Sequence, residues 1–410
     1  MTEAVVDVAA DRTTVLWLTE YQTLSTDALT PAKAQLLRAD YARYVTVQPT
    51  FEQGVVELTA GDFIGVIALD GLRIHIRPKV PLTNLFYMLT YAYELAQFRD
   101  TETPLAVGDE LFEFLVDIFV KQVDALVRAG IYRGYVDFND DAAFLRGRLL
   151  VADHIRRGAT CLTSFPQRTN EFTADLPENR ILKFTLWQLA RALSGDVERR
   201  RHLRRTLSAF SEVELAAMSA ADCERVVYSR LNGAYRTPIN LARLFLQHLS
   251  LEGHAGETPF VTYLLPMHRV FELFVGRYLT EALAGDPRHN VALQQQIWLD
   301  TDQSEQGVPD IVLHRDGRPY LVLDTKYKTF SSAPDEADRN QIYVYSQTME
   351  VDRAILIYAD AKPVHYQRLF KGMTLAAQSL PLDGPLDDFR ARCAAWADGL
   401  LEMQREEETN

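Results

Sequence analysis

A chain of 410 residues is long for one hydrophobic core, so two or three domains are expected. With 47% apolar and 24% charged residues it reads as a folded, water-facing protein, and a net charge of −13 argues against one that grips polyanions over its whole surface. Cys161, Cys223 and Cys393 are far apart and odd in number, which fits reduced thiols better than a disulfide framework or a zinc site.

Residues 1 to about 80 read as strand-rich, with short β-branched runs at Val15–Leu18, Tyr44–Val47, Gly54–Leu58, Phe63–Leu69 and Leu72–Ile76. Asp70-Gly71 between the last two is a hairpin turn signal. Thr30-Pro31 opens a predicted helix that runs to Tyr41. Further helices are predicted over Asn84–Gln97 and Asp109–Ala129, the second ended by Gly130. Tyr132–Phe138 reads as a strand followed by a turn at Asn139–Asp141, and Ala159–Asp175, with little periodicity, reads as an extended loop. Helical spacing returns over Pro177–Leu193 and Val197–Met218. Gly253, Gly256 and Pro259 mark a boundary near residue 255.

Beyond that boundary the predicted order is a helix (Met267–Leu283), three strands (Val291–Trp298, Val308–Leu313, Leu321–Lys326), a helix (Asp335–Met349) and a strand (Ala354–Tyr358). A last helix, Leu386–Arg405, runs into the acidic residues Glu406–Glu408. The order is α/β with antiparallel strands at its front. The N-terminus lacks a basic region followed by an apolar one. The most apolar stretch, Val80–Phe98, carries Asn84 and Glu94 and is too short in clean apolar length to span a membrane. A soluble cytoplasmic protein is therefore expected.

The segment Val308–Lys328 holds the densest chemistry. Asp310 lies in one β-branched run, Asp324 and Lys326 in the next, with Asp316-Gly317-Arg318 between them. Asp324 and Lys326 share a strand face and Thr325 points away. A three-residue loop at Asp316–Arg318 would set Asp310 opposite Asp324. Two carboxylates and an ammonium would then meet where a hard divalent cation and a water could be held near a phosphodiester. The competing reading is a pair of strand-end acids bridged to Lys326 or Lys328.

Glu272 sits in Val270–Val275, a helix apolar on nearly every side, where a carboxylate costs several kcal/mol unless it is paired or bound to metal. Its plain alternative is a bridge to Arg269 or Arg277. Gln341 and Tyr345 fall four apart on one helix face, and Gln341 can reach phosphate or Lys326, or simply solvent. The cluster Arg199, Arg200, Arg201, His202, Arg204, Arg205 is a phosphate-tracking stripe or, the more common outcome, a solvated helix face. No G-x-x-x-x-G-K-[ST], H-E-x-x-H, Cys-x-x-Cys or G-x-S-x-G occurs, and the nine histidines lack zinc-ligand spacing.

Four blocks in order carry a resemblance. They are Ile74–Val80 with Asn84–Leu89, Tyr132–Tyr135 with Leu145–Leu149, Asp175–Lys183, and the set Pro309-Asp310, Asp324-Thr325-Lys326, Gln341-x-x-x-Tyr345. Together they resemble the McrC family, the nuclease subunits of McrBC-type, modification-dependent restriction systems. The resemblance implies an α+β multidomain chain. Its parts would be a strand-rich, partner-docking N-terminal domain over residues 1–100, a mainly helical region over 101–255, and a PD-(D/E)xK restriction-endonuclease-like core over 256–410. It implies Mg²⁺-dependent cleavage of double-stranded DNA carrying modified cytosine, alongside a separate AAA+ GTPase that the chain docks on and stimulates, with no membrane involved. Thr325 stands where a smaller residue is usual.

On this reading Asp310 and Asp324, helped by the Thr325 carbonyl and by Glu272, hold Mg²⁺. Lys326 orients or deprotonates water or offsets phosphate charge, and Gln341 assists. An adaptor that only activates the GTPase is the alternative. A nuclease needing no motor is a third.

Overall fold

The computed structural model describes residues 5–8, 13–99, 111–156, 163–193, 196–252 and 260–405. The expected boundary residues Gly253, Gly256 and Pro259, the helix start at Asp109, Cys161 and the acidic end Glu406–Glu408 lie outside them. Where the sequence suggests divisions near residues 100 and 255, the chain packs as two units, one formed by residues 1–111 together with 261–410 and one by residues 112–260.

The N-terminal part of the first unit contains β1 (Val5–Val8), β2 (Thr14–Thr19), β3 (Thr23–Thr26), α1 (Pro31–Asp40), β4 (Val45–Pro49), β5 (Val56–Ala60), β6 (Phe63–Leu69) and β7 (Leu72–Arg77). Thr30 caps α1 by accepting the Lys33 N–H, and Pro31 starts it because its missing N–H is no loss in the first turn. Asp70-Gly71 forms the expected two-residue turn, with Leu69 paired to Leu72. One sheet runs β1-β2-β7-β6, and β3, β5 and β4 make a second. Leu16, Leu18, Leu37, Leu58, Ile67 and Ile74 fill the core they share.

Helix α2 (Leu82–Ala92) stops five residues before the predicted end. Tyr93 caps it and Glu94 turns left-handed, which an α-helix cannot continue through. Asn84 is fully buried at its start, and its amide donates to the Leu382 and Gly384 carbonyls.

The second unit contains α3 (Leu111–Ala129), β8 (Gly134–Ala142), β9 (Arg148–Leu149), α4 (Val151–Arg156), β10 (Phe165–Thr173), α5 (Pro177–Ala192), α6 (Val197–Ser208), α7 (Ala220–Glu224), α8 (Arg236–His248) and β11 (Leu249–Glu252). Several expectations fail here. The predicted turn at Asn139–Asp141 and, within the loop expected over Ala159–Asp175, the residues Phe165–Thr173 are instead part of one antiparallel ladder, from Gly134 opposite Thr173 to Ala142 opposite Phe165; Ala159 to Leu162 lie outside the described residues. These strands lack a repeating apolar face. Cross-strand pairs support them instead: Asn170 donates to Asp137, and the Tyr135 and Phe172 rings meet at 5.1 Å.

Helix α6 ends at Ser208 rather than near Met218, and the Phe210 and Val213 carbonyls that follow accept from the Lys183 ammonium. On its basic face Arg199 is pinned by Glu113, Asp117 and Asp196, and His202 bonds Asp124. This part of the arginine cluster fastens α6 to α3.

The chain then returns to the first unit with β12 (Phe260–Pro266), α9 (Met267–Leu283), β13 (His289–Leu293), β14 (Ile297–Trp298), β15 (Gln306–Gly307), β16 (Ile311–Arg315), β17 (Arg318–Lys326), α10 (Glu336–Thr348), β18 (Arg353–Tyr358), β19 (His365–Phe370), β20 (Met373–Ser379) and α11 (Leu386–Arg405). Strand β12 pairs antiparallel with β6, so the returning chain completes the N-terminal sheet. A six-stranded mixed sheet follows in the order β13-β16-β17-β18-β20-β19. Its front strands are antiparallel, and β17-β18-β20 run parallel. Helix α9 packs on β13 and β17, and α10 on β17 and β18. Among the described residues no helix is long and apolar enough to cross a membrane.

Candidate active site

The β16–β17 hairpin sets the geometry. Its turn is two residues, Asp316 at φ +49° and Gly317 at φ +80°, closed by Arg315 opposite Arg318, one residue shorter than the expected loop. A bulge between Leu313 and His314 shifts the register by one and compensates. Further along, Ile311 pairs with Leu323, so the next ladder position brings Asp310 opposite Asp324.

Asp324 is 2% exposed. Its Oδ2 lies 2.6 Å from Lys326 Nζ, but off the direction of a hydrogen bond, and so remains a buried oxygen without a hydrogen-bond partner. Burial first, and the Asp310 charge next, push the Asp324 carboxyl well above the ordinary carboxylate range, with Lys326 offsetting them only in part. Burial also opposes the charge on Lys326, yet Asp324, Asp338 and Asp310 together hold its pKa above that of an ordinary amine. The strand end is thus richer in negative charge than its lysine balances.

Lys326 Nζ donates to Gln341 Oε1 at 3.2 Å and lies 3.4 Å from Asp338 Oδ1. Gln341 in turn donates to Tyr345 Oη at 3.2 Å. Asp338 braces a second lysine, Lys328, at 2.7 Å, and accepts from the Tyr358 hydroxyl at 3.3 Å. Asp338 was not a sequence candidate, though its spacing of three and seven from Gln341 and Tyr345 puts it on the same face of α10.

Asp310 Oδ2 accepts two bonds of 2.8 Å, from the Thr325 N–H and from the Thr325 hydroxyl. The expectation that the Thr325 side chain points away from the acids is therefore corrected. Alternation along β17 does send it to the other face, but Asp310 precedes β16 and reaches it from the strand end. Glu272 pairs with Arg269, as its plainer reading held, while Arg277 pairs with Glu94. Burial, and after it the charge on Asp310, raise the Glu272 pKa. Gln294 Nε2 also donates to Glu272 Oε1 at 2.8 Å. No sequence motif pointed to Gln294.

The donor set suits a hard cation: carboxylate oxygens on neighbouring strands, one of them buried and without a hydrogen bond, in a field of surplus negative charge. Among the described residues, however, no group of three or more His, Cys, Asp or Glu side chains is arranged to hold a metal ion. The residues fit a site with few protein ligands and several waters, the usual habit of Mg²⁺.

A family model described as McrBC 5-methylcytosine restriction system component matches residues 58–359. The type IV methyl-directed restriction enzyme EcoKMcrBC of Escherichia coli (strain K12) is 25% identical over 273 residues, covering 61% of this chain and 74% of that protein. Among solved structures, a half-complex from the tetradecameric assembly of Thermococcus gammatolerans McrB AAA+ hexamers with bound McrC matches with a TM-score of 0.56 at 20% identity, over 94% of this chain and 99% of that one. At that identity the likeness is one of fold. The cryo-EM structure of the Thermococcus gammatolerans McrBC complex matches with a TM-score of 0.43 at 22% identity, over 66% and 88% of the two chains.

Proposed function

The chain belongs to the family of McrBC 5-methylcytosine restriction system components, and we propose that it is the subunit that hydrolyses DNA, acting with a separate AAA+ GTPase. The observation that carries this reading is Asp310 opposite Asp324, with Lys326 2.6 Å from the Asp324 carboxylate. The absence of a P-loop sequence from the chain supports assigning nucleotide hydrolysis to a partner. The likeness in fold to a chain from an assembly of McrB AAA+ hexamers with bound McrC supports the kind of partner. The substrate is double-stranded DNA marked by modified cytosine, in keeping with the family description.

In the proposed mechanism Asp310, Asp324 and the Thr325 main-chain carbonyl would hold Mg²⁺, with Glu272 completing the acidic shell directly or through water. Bound there, it would supply the charge that polarises a phosphate and acidifies water. The Thr325 N–H and hydroxyl fix the Asp310 carboxylate. Lys326, kept as an ammonium by the acids around it, orients the attacking water and offsets charge that grows on the phosphate. Gln341 and Asp338 hold that ammonium in place.

The test is plasmid cleavage by the purified chain with its GTPase, GTP and Mg²⁺. Asp310→Ala and Asp324→Ala should abolish cutting without unfolding the protein, and Lys326→Ala should retain metal and cut poorly. Undiminished cleavage by Asp324→Ala would remove the site from consideration. A second reading, an adaptor that only activates the GTPase, draws on the lack of a ready-made metal cage among the described residues. GTPase stimulation without cleavage of methylated or unmethylated DNA would favour it.

A further inference from the structure

Gln294 lies just past β13 and holds a φ of +49°, a left-handed conformation that a residue with a Cβ adopts at a cost. Its backbone N–H donates to the main-chain oxygen of Asp310 at 2.9 Å. Its side-chain amide faces two ways: Nε2 donates to Glu272 Oε1 at 2.8 Å, and Oε1 accepts from Arg269 Nη2 at 2.5 Å. One residue thus ties the backbone under one acid to the carboxylate of another, and also holds the second arm of the guanidinium that pairs with that carboxylate. Both contacts to Glu272, from Arg269 and from Gln294, engage Oε1, which leaves Oε2 outside the pairing.

We propose that Gln294 is a positioning residue of the hydrolytic site, setting the Glu272 carboxylate against Asp310 so that the two present oxygens to one divalent cation. The proposal rests on reading this site as a cation-dependent nuclease. A glutamine fits the task because its amide donates to the acid and accepts from the arginine at once. The strained backbone is tolerated because the N–H must meet Asp310 while the side chain turns back to α9. Partners of metal-binding groups, when removed, commonly cost about 10-fold or more in metal affinity.

Two variants separate the side chain from the backbone. Gln294→Gly relieves the left-handed strain and deletes the amide; Gln294→Met keeps the length and the backbone but loses the N–H donor to Glu272 and the oxygen that accepts from Arg269. Calcium or magnesium binding to the full-length chain is measured by calorimetry, and cleavage by the chain with its GTPase is followed as a function of Mg²⁺ concentration. Both variants should bind the ions about 10-fold more weakly and need correspondingly more Mg²⁺ for half-maximal cleavage, with most of the rate regained at saturation. If Asp324→Ala loses metal while both Gln294 variants bind it as wild type does, the positioning role is overturned and the nuclease reading stands. If the wild-type chain neither binds the ions nor cuts DNA, both fall together.

Discussion

Thr325 shows how one hydroxyl can be misjudged from strand alternation yet matter to the acids beside it. Two donors from this residue end on the same Asp310 oxygen, and only one comes from the backbone. Thr325→Val keeps the shape and removes the other, so Asp310 should be held less firmly. Single-turnover cleavage is expected to fall by roughly 10-fold, the worth of about 1.5 kcal/mol for a hydrogen bond to a charged group. Thr325→Ser should restore most of it, and equal rates for the valine variant and wild type would show that the N–H alone suffices. Asp310, Asp324 and Lys326 stand out in the sequence through a spaced pattern of charge on two strands, and Gln341 through its spacing of four from Tyr345 on one helix, and the fold brings Lys326 to Asp324 and Gln341. Gln294 and Asp338 do not stand out, because a glutamine in a Gln-rich stretch and an acid in an ordinary first helical turn look like countless surface residues. Only three-dimensional proximity marks them.

Among the elements, helices were read best, since an apolar stripe at helical spacing survives without its context. Of the β8–β10 ladder only the start of β8 is legible, as the strand Tyr132–Phe138, because the contacts that support the rest run across the strands and a single strand does not display them. The β16–β17 hairpin gave the right register from a wrong turn, because the bulge adds back the residue that the shorter loop removes. The Asp175–Lys183 block illustrates a different lesson. Asp175 pairs with Arg180, Lys183 closes off two carbonyls, and buried Asn179 donates to the Tyr132 and Ala174 carbonyls while accepting from the Tyr235 hydroxyl. The block is a brace rather than a site. Asn179→Ala should therefore destabilise the unit of residues 112–260 by about 2–3 kcal/mol. A change of less than about 0.5 kcal/mol in its unfolding free energy, from denaturant titration, would deny Asn179 that role.

At the scale of the molecule, the N-terminal sheet and the six-stranded mixed sheet belong to one unit, and a buried polar knot shows how. Glu20 Oε2 accepts from the Lys79 N–H at 2.8 Å and from the Tyr327 hydroxyl at 3.2 Å, and the Tyr21 hydroxyl donates to the Tyr327 carbonyl at 2.7 Å. The Lys79 ammonium lies over the Tyr327 ring at 4.1 Å. Burial, only partly opposed by Lys79 and Tyr327, lifts the Glu20 pKa from 4.5 to about 7. An acid raised in this way stabilises the fold fully below its unfolded pKa and loses that contribution as pH climbs through the folded value. Relative to wild type, Glu20→Gln should therefore gain about 3 kcal/mol between pH 4.5 and about 8. Urea unfolding at several pH values checks this, and a difference that stays constant across the range would rule out titration of Glu20.

Tyr327 is the residue after Lys326, so the knot grips β17 at its tip, while β12 reaches back to pair with β6 in the N-terminal sheet. The candidate site is in this sense cantilevered from the front of the chain. Trimming residues 1–80 would strip β6 from β12, leave Tyr327 ungripped and open a wet gap where a wall had been. A fragment starting at residue 261 is expected to be insoluble or molten, showing poorly dispersed amide resonances, and a crisp spectrum from it would mean that the mixed sheet carries its own handle.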